Sequence, residues 1–252
     1  MRLDNYLVEK CFFGSRTKAK QAILRGEIFI NNACIQKPSF DMCNDITYKV
    51  ERVCEDSFVS LGGFKLKKAL TDFNFIVNGL TVADIGASTG GFTDCLLQNG
   101  AKTVFAVDLN DDLLHQSLKD DKRVKRVIKN ARELKKSDFS LPIDLIVADL
   151  SFISITYVLN VFSNILDNDK YLLVLIKPQF EANKKRKLKN GIVKDKKEMI
   201  DACRSVLNKA IEYNFAPIAF TNAPLVDGKN VEFLMLFQKN GVQKLTENDL
   251  RF

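Results

Sequence analysis

The chain has 252 residues, 46% of them hydrophobic and 27% charged, which is typical of a globular protein with one large core and a small accessory domain. Its formal net charge of +7 favours a polyanionic partner, either nucleic acid or an anionic membrane. The first residues are too polar for a signal peptide, and no run of about 18 apolar residues occurs. We therefore expect a cytoplasmic protein without stable membrane association.

The use of cysteine and histidine argues against a metal site. The six cysteines are widely spaced and include no CxxC pair, and His115 is the single histidine. Because zinc sites need clustered cysteine and histidine ligands, we expect no bound metal. Widely spaced cysteines are instead typical of reduced cytosolic thiols.

The first clear element is a helix that follows Ser15, a residue type that favours N-caps. Apolar residues recur on one face of this helix, and Gly26 suits the left-handed residue that ends a helix. Alternating apolar residues on both sides of Asn31 and Asn32 then predict a hairpin with a tight turn.

Basic residues lie away from the apolar face of this helix. Arg16 and Lys20 are four residues apart, Arg25 is near the helix end, and Arg2 belongs to a preceding helix. Charge alone is equally typical of a solvated helix face. The segments MRLD, SRTKAKQAILRG and IFIN, however, resemble the S4 RNA-binding domain. The resemblance implies an α+β domain, expected at residues 1–55, in which these four residues contact RNA phosphates.

From residue 56 onward, apolar strand candidates alternate with helical stretches. This alternation predicts an α/β, doubly wound, Rossmann-like sheet over residues 56–252. The predicted strands are Val82–Ile85, Val104–Val107, Leu145–Ala148, Leu172–Ile176, Ile218–Phe220 and Val231–Phe237. Because such sheets bind ligands at the carboxyl ends of their strands, we expect the functional site at that edge.

The motif DIGASTGG, residues 84–91, joins the first of these strands to a helix. Serine occupies the middle glycine position of G-x-G-x-x-G, so a nicotinamide dinucleotide is disfavoured, although a plain strand-to-helix turn is an alternative. The charge of Asp84 would repel a pyrophosphate and favours the cationic end of S-adenosylmethionine. The predicted cofactor-binding residues are Asp84, Gly86, Ser88, Thr89, Gly90, Gly91, Asp108 and Asp149, with Asp108 on the ribose hydroxyls.

Asp149, Lys177 and Glu232 each end or interrupt an apolar strand. Because buried charges are costly unless they are paired, these residues are expected to converge at one sheet edge. The pattern is compatible with a catalytic cluster and with purely structural ion pairs.

The segments GFKLKKAL, DIGASTGG, ADLSFIS, IKPQFE and VEFL resemble, in this order, the TlyA family, whose two-domain members are related to the FtsJ-type 2'-O-ribose methyltransferases. The resemblance implies a catalytic tetrad of Lys65, Asp149, Lys177 and Glu232. Lys177 is the predicted proton acceptor for a ribose hydroxyl, with Asp149 and Glu232 orienting the ammonium groups. Desolvation or the charge of the neighbouring Lys65 is expected to favour a neutral Lys177, whereas Asp149 and Glu232 favour its charged form.

The implied reaction is transfer of a methyl group from S-adenosylmethionine to cytidine riboses in ribosomal RNA, in the free RNA or in a ribosomal subunit. The short chain resembles the TlyA subgroup that modifies large-subunit (23S) rRNA, and small-subunit (16S) rRNA is the second candidate. The segment 184–197 contains eight lysines or arginines and one acid, which is typical of a solubilising loop or of a phosphate-binding surface. Beside an S4 domain, we predict RNA binding by Lys184, Lys185 and Arg186.

Two other function classes remain. A membrane-active haemolysin, a label that the family has carried, would need an amphipathic or transmembrane segment that the sequence does not show. A non-catalytic RNA-binding ribosome factor would not require Asp149, Lys177 and Glu232. The presence of all three residues favours the enzyme.

Overall fold

The computed structural model describes residues 1–42, 48–52, 58–181, 191–226 and 229–251. Within these ranges the helices are α1 (Leu3–Glu9), α2 (Arg16–Arg25), α3 (Leu61–Asp72), α4 (Gly91–Gln98), α5 (Gln116–Lys119), α6 (Leu159–Ile165), α7 (Pro178–Glu181) and α8 (Lys196–Glu212). The strands are β1 (Ile28–Ile30), β2 (Ala33–Cys34), β3 (Val50–Arg52), β4 (Thr81–Ile85), β5 (Thr103–Asp108), β6 (Val124–Ile128), β7 (Leu145–Ala148), β8 (Tyr171–Ile176), β9 (Phe215–Asn222), β10 (Leu225–Val226) and β11 (Phe233–Lys239).

Helix α2 begins and ends where the sequence predicts. The Oγ atom of Ser15 accepts a hydrogen bond from Lys18 N at 3.4 Å and so satisfies one backbone donor of the first turn. Gly26 ends the helix with a left-handed φ of 78°. Ala19 and Ile23, on the apolar face, are fully buried in a cluster that also contains side chains of α1.

Strands β1 and β2 form the predicted hairpin, with Ile30 opposite Ala33. Asn31 and Asn32 make the turn with positive φ values of 49° and 68°, a conformation that asparagine tolerates. Strand β3 pairs with the other side of β1, and β10 pairs in parallel with β2. This four-stranded sheet therefore includes a strand from the C-terminal part of the chain, which the sequence pattern does not predict.

The seven-stranded sheet has the order β6-β5-β4-β7-β8-β11-β9. The first five strands are parallel, and β11 is antiparallel to both of its neighbours. All six predicted strands are present. The strand that the sequence pattern misses, β6, lies at the edge, where Lys125 and Arg126 are exposed and no continuous apolar run is needed.

Helices cover both faces of this sheet. In β4, Ala83 and Ile85 contact a cluster with side chains of α6 and α8, whereas Val82 joins a second cluster with side chains of α3 and α4. These two apolar layers make the domain a doubly wound α/β fold. The strand order reverses between β4 and β7, which is the topological switch point where such sheets bind ligands.

The N-terminal part packs against the start of α3. A Cβ on Gly26 would lie 2.0 Å from Leu61 Cδ2, so glycine is needed for this close approach. The rings of Phe29 and Phe64 meet edge to face at 6.3 Å. Because Lys65 follows Phe64 on the same helix, these contacts support the helix that carries a predicted catalytic residue.

Candidate active site

Backbone contacts hold the glycine-rich loop at the switch point. The amide groups of Gly86 and Ala87 both donate to Val107 O, at 2.9 and 3.0 Å. Gly86 has a φ of +86°, and a Cβ there would lie 2.6 Å from Asp149 O. Only glycine allows the ends of β4 and β7 to approach each other this closely.

Packing within the protein accounts for the other two glycines of this loop. A Cβ on Gly90 would lie 2.2 Å from a side-chain carbon of Leu118, and one on Gly91 would lie 2.2 Å from Ser60 Oγ. The sequence pattern predicts both glycines to be cofactor-binding residues. The structure adds that each of them also makes a close contact within the protein.

Asp108 lies at the end of β5 beside the loop. Its Oδ2 accepts a hydrogen bond from Ser88 N at 2.8 Å, and its Oδ1 accepts one from Leu109 N at 2.7 Å. Ser88 and Thr89 are the exposed residues of the loop. Each carboxylate oxygen of Asp108 can accept a further donor, so this group is fixed in place and still able to bind hydroxyl groups.

Asp84 lies beneath the loop and has no solvent exposure. Thr93 Oγ1 donates to its Oδ2 at 2.6 Å, whereas Oδ1 has no hydrogen-bond partner among the residues that the structure describes. Burial raises the pKa of Asp84 to about 7, and the nearby charges of Asp149 and Asp108 add to this rise. At neutral pH this carboxyl group is therefore partly protonated and carries less than the full negative charge that the sequence pattern predicts.

Lys177 and Asp149 form an ion pair because each directly follows a strand, β8 and β7, at the same sheet edge. Lys177 Nζ lies 2.6 Å from Asp149 Oδ1, but this oxygen accepts no well-directed hydrogen bond, so the contact is mainly electrostatic. The same Nζ donates a hydrogen bond to Ser151 Oγ at 2.8 Å. The side chain of Lys177 is only 9% exposed.

Lys65, on α3, forms the second ion pair. Its Nζ donates to Glu232 Oε2 at 2.6 Å, and both side chains are largely buried. Lys67 and Lys68, on the same helix, hydrogen-bond to other side chains, of Asn99 and Asp72 respectively. The geometry thus distinguishes Lys65 from its neighbours as the lysine that faces Glu232.

The two ion pairs lie at one edge of the sheet. Strands β8 and β11 are antiparallel with Ile176 opposite Phe233. Lys177 follows the first of these residues and Glu232 precedes the second, so the two charged residues occupy adjacent positions. Glu232 therefore neighbours Lys177 across the sheet and at the same time accepts the hydrogen bond from Lys65.

Two residues of this edge are missed by sequence reasoning. Ser151 binds Lys177, and Phe152 is 88% exposed with a φ of +68°. The Phe152 ring lies 5.5 Å from that of Phe180, between centroids. The available signal is an aromatic residue in the segment ADLSFIS, three residues after Asp149.

The predicted RNA-binding arginines meet at a buried carboxylate. Arg2 donates to Asp4 through Nε at 3.0 Å and Nη2 at 2.9 Å, and Arg16 Nε donates to Asp4 Oδ2 at 3.0 Å. The hydrogen bonds from Arg2 lower the pKa of Asp4 to about 2. Both arginine side chains remain about half exposed, so their other N–H groups are accessible.

Arg2 is the N-cap of α1 and lies just outside the helix, contrary to its predicted placement. Lys20 is exposed on α2. The side chain of Arg25 and the residues Lys184, Lys185 and Arg186 lie outside the part of the chain that the structure describes.

Across the described ranges, no helix is long and apolar enough to span a membrane. No group of three or more histidine, cysteine, aspartate or glutamate side chains in those ranges is arranged to hold a metal ion.

Comparison with known proteins identifies both parts of the chain. The FtsJ-like methyltransferase family matches residues 58–240, and the S4 domain matches residues 1–42. Hemolysin A of Brachyspira hyodysenteriae is 37% identical over 94% of this chain and 99% of its own. The 16S/23S rRNA (cytidine-2'-O)-methyltransferase TlyA of Mycobacterium tuberculosis is 34% identical over 93% of this chain and 88% of its own.

A solved structure supports the same grouping. A candidate hemolysin from Streptococcus thermophilus superposes with a TM-score of 0.72 and 33% identity, covering 96% of this chain and 90% of that one. Since the family match spans most of the chain and the relatives align over nearly its whole length, this chain belongs to the TlyA family of FtsJ-like methyltransferases that carry an S4 domain.

Proposed function

We propose that this chain transfers a methyl group from S-adenosylmethionine to the ribose 2'-hydroxyl of a cytidine in ribosomal RNA. The observation that carries the proposal is the arrangement of two ion pairs, Asp149 with Lys177 and Lys65 with Glu232, at the switch-point edge of an FtsJ-like domain. The name of the M. tuberculosis relative includes both rRNAs. We take 23S rRNA as the principal target and 16S rRNA as the second candidate.

The charges around the loop fit a cationic cofactor. Asp149 and Asp108 lie close enough to Asp84 for their negative charges to raise its pKa. Such an edge attracts a sulfonium group and repels a pyrophosphate. Asp108, held by two backbone amides, is suited to accept the ribose hydroxyls. The proposed cofactor-binding residues are Asp84, Gly86, Ser88, Thr89, Gly90, Gly91, Asp108 and Asp149.

When bound, S-adenosylmethionine supplies an electrophilic methyl group: the 2'-oxygen bonds to its carbon while the carbon–sulfur bond breaks, leaving neutral S-adenosylhomocysteine. Lys177 accepts the hydroxyl proton. An ordinary lysine side chain is an ammonium group at neutral pH, so Nζ must release a proton before it can accept one. Asp149 and Ser151 hold Nζ in one position, so that the lone pair of the neutral amine points at the substrate oxygen.

Lys65 and Glu232 complete the proposed tetrad. Glu232 uses one oxygen to hold the Lys65 ammonium, which retains further N–H donors. These donors are suited to orient the ribose or the oxygen that loses its proton. Because charge on this oxygen grows during transfer, such donors stabilise the transition state more than the ground state.

The exposed ring of Phe152 is suited to stack on the base of the target nucleotide. An aromatic side chain that is 88% exposed gains little from the protein core but offers a face to an unpaired base. Proteins that recognise specific RNA sequences commonly stack unpaired bases on aromatic side chains in this way.

The S4 domain is the proposed anchor on rRNA or on a ribosomal subunit, which would place the protein in the cytoplasm. The N-terminal domain is proposed to occupy residues 1–55 and the methyltransferase domain residues 56–252. The proposed RNA-binding residues are Arg2, Arg16, Lys20, Arg25, Lys184, Lys185 and Arg186.

Mapping of 2'-O-methyl groups tests the function. Ribosomal RNA from cells with and without the gene is compared by resistance of each phosphodiester to alkaline cleavage. We expect one or more cytidines to lose protection without the gene and to regain it with purified protein and S-adenosylmethionine. A methyl group on a base, or identical maps, would contradict the ribose mechanism.

A further inference from the structure

Two chain segments border the proposed active site and touch along their length. One is the loop 149–155 after β7, and the other is the segment 177–181, which contains α7. At one end Lys177 binds Asp149 and Ser151, and further along the rings of Phe152 and Phe180 are in contact.

Glu181 joins the two segments at the other end of this contact. Its Oε1 accepts a hydrogen bond from Ile155 N at 2.8 Å, and its Oε2 accepts one from Ser154 Oγ. Burial raises the pKa of the Glu181 carboxyl group above its ordinary value, and the two hydrogen bonds offset only part of this rise. A carboxylate that accepts a backbone and a side-chain donor fixes both the position and the direction of the loop.

The loop needs such support because of its backbone conformation. Phe152 has a φ of +68°, in a region that glycine adopts readily but that is unfavourable for a bulky side chain. A strained residue persists only when surrounding contacts hold it. Glu181 and Phe180 supply these contacts on one side of Phe152, and the Ser151 bond to Lys177 supplies them on the other.

We propose that Glu181 is a positioning residue for methyl transfer: by holding Ser154 and Ile155 it keeps Ser151 against Lys177 and keeps the Phe152 ring turned toward the substrate. The proposal rests on the proposed function for its effect on turnover, but its structural part is independent of it. Glu181 does not touch the reacting atoms and acts only through the loop.

The experiment uses a fluorescent probe in the loop and a matched structural control. The chain contains no tryptophan, so Phe152→Trp creates a single indole fluorophore at the loop. Glu181→Ala and Glu181→Gln are each combined with this probe, and activity is measured separately without it. The control is Asp144→Ala, because Asp144 also accepts a backbone amide, from Thr81 at 2.9 Å, and a side-chain donor, from Lys170 at 2.7 Å, at the opposite edge of the sheet.

Both alanine variants are expected to lower the midpoint of urea unfolding. Only Glu181→Ala should lower the fluorescence anisotropy of the indole probe and raise its quenching by acrylamide, and kcat should fall by about 10²-fold, the scale of a misplaced catalytic group. Affinity for S-adenosylmethionine should stay unchanged. Glu181→Gln, which keeps an acceptor oxygen, should recover part of both losses.

Unchanged anisotropy and quenching in Glu181→Ala overturn the proposal, as does an equal fall of kcat in Asp144→Ala. A mobile probe with unchanged kcat overturns the positioning role. If the wild-type chain itself transfers no methyl group to rRNA, the proposed function fails, and the probe measurements alone decide whether Glu181 holds the loop.

Discussion

Lys177 Nζ lies 2.6 Å from Asp149 Oδ1, although the two residues belong to different strands. The contact follows from the topology, because β7 and β8 are parallel neighbours whose carboxyl ends meet at one edge. Because the pair is largely buried, a substitution that removes only one of the two residues is costly: it leaves the other charge unpaired and poorly solvated.

Lys177 is expected to be essential for the chemical step. Lys177→Ala should leave S-adenosylmethionine and RNA binding intact while methyl transfer falls by about 10²-fold or more, the scale of a removed general base. Lys177→Arg keeps the positive charge beside Asp149 but cannot accept a proton. Single-turnover transfer of labelled methyl measures both variants, and near wild-type turnover of the arginine variant would exclude Lys177 as the proton acceptor.

The lysines of α3 should differ in their effects. Lys65→Ala removes the partner of Glu232 and is expected to lower methyl transfer by about 10-fold or more. Lys68→Ala is the matched control, because this lysine is on the same helix but bonds to Asp72. Turnover numbers and urea unfolding are compared for both. An equal loss of activity in the two variants would assign the effect to helix α3 as a whole.

Gly86 should be more sensitive to substitution than Gly79. Both have positive φ, but a Cβ on Gly86 would lie 2.6 Å from Asp149 O, whereas one on Gly79 meets nothing within 4 Å. Gly79→Ala therefore reports backbone strain alone, on the order of 1 kcal/mol. Gly86→Ala should also displace the loop, so titration calorimetry should show loss of S-adenosylmethionine binding only in this variant. Tight binding by Gly86→Ala would contradict the assignment of the loop.

Asp84 should make stability depend on pH. Its pKa is about 7 in the folded chain, above an unfolded value of about 3.9. Its contribution to the free energy of unfolding is therefore largest below pH 4 and is lost as the pH rises to about 7. Asparagine does not ionise, so the Asp84→Asn variant avoids this loss. Its free energy of unfolding relative to wild type should therefore rise by on the order of a few kcal/mol between pH 4 and pH 8. Urea unfolding at several pH values measures the difference, which should be constant if Asp84 does not titrate in this range.

The basic face of the N-terminal domain should set the salt dependence of RNA binding. Arg16→Ala combined with Lys20→Ala should weaken binding and lower the slope of log K against log salt by about 0.7 to 0.9 for each lost phosphate contact. S-adenosylmethionine binding should not change. Lys122→Ala with Lys244→Ala, which removes two exposed lysines elsewhere, is the control. Equal slopes for both double variants would indicate a general charge effect.

The amino-acid sequence alone predicts the fold class, six strands of the large sheet, the hairpin turn at Asn31 and the meeting of Asp149 and Lys177 at one sheet edge. These features depend on local patterns: apolar runs, residues that tolerate positive φ, and charged residues where strands end. Strand β6 was not predictable in this way, because an exposed edge strand with Lys125 and Arg126 has no apolar run.

Which charged groups meet, and how deeply each is buried, follows from the arrangement of the whole fold. Three lysines of α3 are similar in sequence, and the fold turns Lys65 alone toward Glu232. Asp84 resembles a ligand-binding acid in sequence but is fully buried beneath its loop. The bonds of Glu181 to the loop after β7 likewise join distant parts of the chain. Pairing and burial depend on elements far apart in sequence, so local patterns carry no information about them until the strands have been ordered in the sheet.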